Sequence, residues 1–165
     1  MNNPTTEEIK ILKESFGAYQ NIHIITDILY RHEMDELMAC CDCFISLHRS
    51  EGFGLGMTEA MALGTLVLAT DWSGNHDFMN PKNAACIDYT LTTLTQDYGP
   101  YKKGNTWAEP DINQAAQWMK ILFEREKTNE NQAMREQARQ TIINNYSAAT
   151  VGQLIRQRLE DIERL

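Results

Sequence analysis

Between Cys43 and Thr70 the chain shows two apolar runs, "CFISLH" and "TLVLAT", separated by the glycine segment "RSEGFGLG" and a stretch of helix formers, "MTEAMAL". Apolar runs without polar alternation suit strands buried on both faces, and two strands joined through a helix pair in parallel. The flanks continue the pattern. "NIHII" predicts a strand, "RHEMDELMACCD" a helix with Met34, Leu37 and Met38 on one face, and "AACIDY" one more short strand. "TTEEIKILKESFGAY" opens with threonines and acidic residues and carries Ile9, Leu12 and Phe16 at helical spacing, which predicts an amphipathic helix. Helix and strand therefore alternate through the first half of the chain. The expected fold class is α/β, a Rossmann-like parallel sheet with helices on both faces, followed by C-terminal helices.

From Pro110 the pattern turns helical. "EPDINQAAQWMKILFEREK" places Asp111 at an N-cap, with Ala115, Trp118, Met119 and Leu122 as an apolar stripe. "NENQAMREQARQTIINNY" and "SAATVGQLIRQRLEDIERL" follow, the last with Val151, Leu154, Ile155, Leu159 and Ile162 facing one way. Such stripes read as core or partner-facing packing. Residues 1–165 are expected to form one domain, with an α/β portion over 1–109 and a helical portion over 110–165. The stretch "TQDYGPYKKGNTWAEP" reads as one long irregular loop. Its Tyr98, Tyr101, Trp107 and Glu109 either border the phosphate-bearing donor described below or pack on the sheet, and packing is the expected role of the aromatics.

Charge narrows the partners. A formal net charge of -8 repels a nucleic-acid backbone or an anionic lipid surface. The opening "MNNPTTEEIK" has no basic lead or apolar core, and no run of about eighteen apolar residues occurs, so neither an ordinary export signal nor a transmembrane segment is expected. Cys40, Cys41 and Cys43 crowd into "ACCDC" and Cys86 stands apart, a spacing that suits neither zinc nor a disulfide framework. They read as reduced, partly buried thiols of a cytoplasmic chain. His23, His32, His48 and His76 are scattered, and no metal site is expected.

The glycine segment carries the chemistry. In an open parallel sheet, ligands sit beyond the carboxyl ends of the strands, and here a strand leads through glycines into a helix start that favours phosphate. Known phosphate fingerprints do not fit. No lysine follows the glycines, and "GFGLG" lacks the spacing of a dinucleotide site. Glu51 and Glu59 flank the glycines eight positions apart. Taken singly, each is a solvated charge worth a few tenths to about 1 kcal/mol near a helix start. Beside a phosphate site, carboxylates suit hydroxyl donors on either side of it. A diphosphate with a diol at each end is a nucleotide sugar.

The segment Ser46 to Phe78 resembles the donor-binding half of retaining glycosyltransferases of family 4, the GT-B group. "EGFGLGMTE" looks like the family's E-x7-E motif, and "EAMALGTLVLAT" is similar to its EAMA-x-G-x-PVVAT run. The resemblance implies that Glu59 holds the ribose hydroxyls and that Glu51, at the catalytic position, contacts and orients the transferred sugar. It further implies that the backbone of Gly52, Phe53, Gly54, Leu55, Gly56, Met57 and Thr58 meets sugar and diphosphate, and that Thr26 and Asp27 approach the nucleobase. No cofactor is implied beyond the nucleotide-diphosphate sugar. The implied partners are that donor, an acceptor glycan, lipid or other hydroxyl compound, and an N-terminal acceptor domain.

Three departures accompany the likeness. Gly56 stands where the family has proline. "SGNHDF" replaces a glycine pair and a glutamate, with Asp77 in the acidic place. The family's Arg/Lys pair for the diphosphate, its acceptor-side histidine and two further strands lie before the point where this chain begins. The chain is therefore expected to be the C-terminal half of a GT-B fold lacking its first strands, part of a hexosyltransferase-type enzyme and not catalytic alone. Two alternatives are a noncatalytic nucleotide-sugar-binding or assembly fragment and a nucleotide-sugar epimerase of the same architecture.

Overall fold

The structure is a computed structural model that describes residues 5–126 and 128–164. The chain divides into two compact units, Met1–Arg31 and His32–Leu165. In the first, helix α1 (Thr6–Phe16) starts on a capping box: Thr5 Oγ1 accepts the Glu8 N–H at 3.2 Å, and Glu8 Oε2 accepts the Thr5 N–H at 2.7 Å. The segment "NIHII", expected as a strand, forms none, and Ile22 and Ile25 are exposed. A strand exists only as part of a ladder, and among the described residues of this unit no other segment is a strand that could pair with it.

In the second unit, helix α2 (Arg31–Cys40), which begins at the division, is followed by β1 (Cys43–Ser46), α3 (Leu55–Leu63), β2 (Leu66–Thr70) and β3 (Ala85–Ile87). The three strands form a parallel sheet in the order β1-β2-β3, with Cys43 opposite Leu66 and Leu68 opposite Ala85. All of β2 is buried, as its unbroken apolar run predicts. Its alternate residues serve two cores. Val67 and Ala69 pack with Met57, Ala60 and Met61 of α3 and with Ala138 and Ile142 of α5 (Asn129–Tyr146). Leu66 and Leu68 pack with Ala115 and Leu122 of α4 (Ile112–Glu124) on the other face. Helices thus cover both faces of the sheet.

Chain punctuation fixes where α3 stops. Gly64 takes a left-handed conformation (φ 81°), and the Thr65 N–H reaches back to the Ala60 oxygen at 2.9 Å, the Schellman pattern. Asp111 caps α4 by accepting the Gln114 N–H at 2.9 Å, as the sequence predicts.

Of the stretch expected as one irregular loop, the last five residues form a strand, β5 (Thr106–Pro110), which pairs antiparallel with β4 (Tyr89–Thr93), Thr92 opposite Trp107, and residues 95–105 lie between the two strands of this hairpin. Its strand character lies in "YTLTT", whose β-branched threonines suit a ladder while hiding the apolar alternation that marks most strands. The stripe of α6 (Ala148–Glu163), expected as core or partner-facing packing, takes no part in the core. Val151, Leu154, Ile155, Leu159 and Ile162 are all exposed, and α6 contributes no buried residue to the core. All four cysteines are free; Cys40 and Cys41 are exposed, whereas burial pushes the Cys43 thiol up to about 11 and the Cys86 thiol up to about 12. Among the described residues, no helix is long and apolar enough to cross a membrane.

Candidate functional site

Residues 47–54 leave the carboxyl end of β1 and lead into α3. A second loop, leaving β2 as "DWSGNHDFM", lies against them. Ser73, held at φ 81°, donates its hydroxyl to the Glu51 main-chain oxygen at 2.5 Å. Beside it, a Cβ on Gly74 would stand 2.0 Å from the Gly52 oxygen. Only glycine lets the two loops touch there. Ser73 and Gly74 open the "SGNHDF" stretch, which the sequence marks only as a departure from the family pattern; the signal of their contact is the Ser-Gly dipeptide, a turn marker shortly after a buried strand.

His48 spans the same gap. Its Nε2 lies 3.0 Å from the Trp72 carbonyl oxygen and its Nδ1 3.2 Å from Ser46 Oγ. A carbonyl only accepts, so Nε2 carries the hydrogen and Nδ1 receives the serine hydroxyl. His76 makes a local contact, with Nε2 2.6 Å from the Asp71 main-chain oxygen and 3.1 Å from its carboxylate. Both histidines brace loops. Among the described residues there is no group of three or more histidine, cysteine, aspartate or glutamate side chains suited to a metal.

Two glycines of the segment are closely packed, and the backbone requires glycine at the first. Gly54, the N-cap of α3, sits at φ 94°, and a Cβ on it would meet Met57 Cε at 2.6 Å and Phe78 Cζ at 3.2 Å. A Cβ on Gly56 would lie 3.1 Å from the Phe44 ring. A glycine cap offers no side-chain acceptor, and the first intrahelical bond is that from the Thr58 N–H to the Gly54 oxygen at 3.0 Å. The N–H groups of Leu55, Gly56 and Met57 precede that bond, at the positive end of the helix. Their place suits an anion supplied from outside the chain.

The side chains around this helix start differ in their commitments. Thr58 is buried, with its hydroxyl donating to the Leu55 oxygen at 2.8 Å and its N–H to the Gly54 oxygen. Glu51 is half-buried, with Oε1 accepting the Gly52 N–H at 2.9 Å. Glu59, one turn into α3, is also half-buried. Phe53 packs on Phe78 and Tyr146 at centroid distances of 5.3 and 5.7 Å, and the Tyr146 hydroxyl donates to the Asp77 oxygen at 2.7 Å. Burial raises the Tyr146 pKa. The Asp77 side chain itself is exposed, in a 3-10 turn. Glu51, the residues from Gly52 to Thr58, and Glu59 are thus gathered on the second unit. Thr26 and Asp27 belong to the first, exposed in the irregular segment between α1 and α2.

Residues 2–141 match the family of glycosyl transferases group 1. The chain belongs to that family. Among solved structures, a glycosyltransferase from Rickettsia africae superposes with a TM-score of 0.66 at 22% identity, over 96% of this chain and 36% of that one. The Anabaena protein Alr3699/HepE, solved with UDP and glucose, superposes with a TM-score of 0.64 at 19% identity, over 93% of this chain and 36% of that one. Its structure with UDP-glucose gives a TM-score of 0.61 at 18% identity. No curated protein sequence matches the chain. These likenesses carry the fold, and the group 1 chain spans little more than one third of the length of the solved glycosyltransferases that share it.

Proposed function

We propose that this group 1 chain is the donor-binding part of a retaining glycosyltransferase of family 4, hexosyltransferase-type, that takes a nucleotide-diphosphate sugar. The observation that carries this is the start of α3: an N-cap glycine without a side-chain acceptor, Glu51 three residues before it and Glu59 one turn inside. The diphosphate would accept hydrogen bonds from the N–H groups of Leu55, Gly56 and Met57. Glu59 would accept from the ribose diol, and Glu51 from a hydroxyl of the transferred sugar.

In the reaction, the bond from the anomeric carbon to the diphosphate oxygen breaks and a bond to the acceptor oxygen forms, and the acceptor hydroxyl proton passes to the departing diphosphate. Charge gathers on the departing diphosphate, where fixed N–H dipoles stabilise it most. Glu51 orients the sugar; with retention, the new bond takes the face the old one left. The acceptor is a glycan, lipid or other hydroxyl compound, and its binding domain would lie outside residues 1–165. A cytoplasmic location, where such donors are made, accords with four free thiols.

Ligand-observed NMR with UDP-, GDP- and ADP-glucose tests the proposal, UDP-glucose first because the Anabaena protein was solved with it. Binding to one nucleotide class, displaced by the matching nucleoside diphosphate, is the expected result. Failure of all three, with galactose and N-acetylglucosamine donors added, overturns it.

A further inference from the structure

We propose that the β4–β5 hairpin carries a second sugar subsite, a pocket of about 500 Å³ that takes a neutral pyranose ring. Its walls are Tyr98 and Trp107, 5.2 Å apart between centroids, with Thr92 directly across the ladder from Trp107. Its floor is a paired charge. Arg49 Nε and Nη2 donate to Glu109 Oε2 and Oε1 at 2.7 and 2.6 Å, and the guanidinium lies 5.2 Å from the Trp107 ring centre.

The chemistry of these groups selects the ligand. Arginine and glutamate together carry no net charge, so the pocket favours neither a phosphate nor a cation. They do set a donor beside an acceptor, because each carboxylate oxygen retains a lone pair and the guanidinium retains N–H groups. Adjacent hydroxyls of a sugar, each both donor and acceptor, match that alternation. The aromatic walls supply an apolar surface for the C–H face of the ring; Tyr98 is 44% exposed and open to such a partner. The pair is held before any ligand arrives, by the two-point bond and by the Ala108 N–H, which donates to the Arg49 oxygen at 3.0 Å. Preorganised groups bind with less ordering cost.

Location supplies the role. Arg49 stands two residues before Glu51, so the pocket adjoins the loop where the transferred sugar is proposed to sit. It is the face that this chain turns to the acceptor, beside the separate domain proposed to bind the rest of that molecule. That role rests on the transferase proposal; sugar binding by the hairpin does not.

Saturation-transfer NMR on this chain without nucleotide tests the binding directly, using methyl glucoside, maltose, cellobiose and adenosine as probes. Transfer to pyranose ring protons is expected, with affinity about threefold to tenfold weaker in Tyr98→Ala and in Glu109→Gln, as loss of a stacking partner or a charged acceptor implies. The Trp107 indole N–H resonance reports whether each variant keeps the hairpin folded. No transfer to any glycoside, equal transfer in folded Tyr98→Ala, or stronger transfer to adenosine than to every glycoside overturns the proposal. A nucleotide-sugar titration on the same sample keeps the two sites separate: nucleotide binding without glycoside binding removes the subsite alone, and the reverse removes the donor site alone.

Discussion

The hydroxyl of Ser73 donates to the main-chain oxygen of Glu51 at 2.5 Å, across twenty-two residues of sequence. The bond fixes the glycine loop to the loop that follows β2, and a backbone conformation that non-glycine residues rarely adopt holds Ser73 in place for it (φ 81°). Gly74→Ala would push a methyl group into the Gly52 carbonyl, where backbone on both sides must yield. The expected cost is about 1–3 kcal/mol of stability, read from urea denaturation, together with weakened nucleotide-sugar binding. Unchanged binding in a folded Gly74→Ala protein would separate this strap from the site.

Gly64→Ala provides the contrast. Gly64 is left-handed with open space around its Cβ position, so alanine there costs about 1–2 kcal/mol through backbone strain alone. Because it caps the far end of α3, nucleotide-sugar affinity should hold. A thermal melt and a titration on the same sample compare the two.

Replacing Glu59 with alanine removes a charged acceptor from the proposed ribose contact. A loss of roughly 1.5–3 kcal/mol, about tenfold to a hundredfold in affinity, is expected, with the fold intact by circular dichroism. Equal affinity in the variant would assign Glu59 to the helix surface.

Acid should loosen the hairpin clamp. The hydrogen bonds from Arg49 hold the Glu109 pKa below its ordinary value of 4.5, so the clamp stabilises the fold above that value and is lost as pH falls below it, through the folded-state pKa. Both side chains are more than one third exposed, which limits the effect to about 1 kcal/mol or less. The Trp107 indole N–H resonance, followed downward from neutral pH, should shift in this acid range in the native protein and stay flat in Glu109→Gln.

Much of the fold was legible because burial leaves period and punctuation in sequence. β2 shows as an unbroken apolar run, Gly64 as a helix stop and Asp111 as a cap, and each stands where expected. The hairpin was not legible, since four of its ten ladder residues are exposed threonines and its turns form within a stretch rich in tyrosine, glycine and lysine. "NIHII" carries strand composition without a ladder in its own unit, and composition cannot report a missing partner. At the site, Glu51, Glu59 and the glycines could be read from spacing. Ser73, Gly74 and Arg49 could not, because their importance lies in contacts with residues twenty-two to sixty positions away.

The central claim is that the start of α3 receives the diphosphate of a nucleotide sugar. Amide chemical-shift mapping with UDP-glucose, followed by GDP- and ADP-glucose, tests it at single residues. The N–H resonances of Leu55, Gly56 and Met57 should move together and saturably with one donor, while those of α6 stay still. Saturable binding that leaves these three amides unmoved, or no binding of any donor, would contradict it.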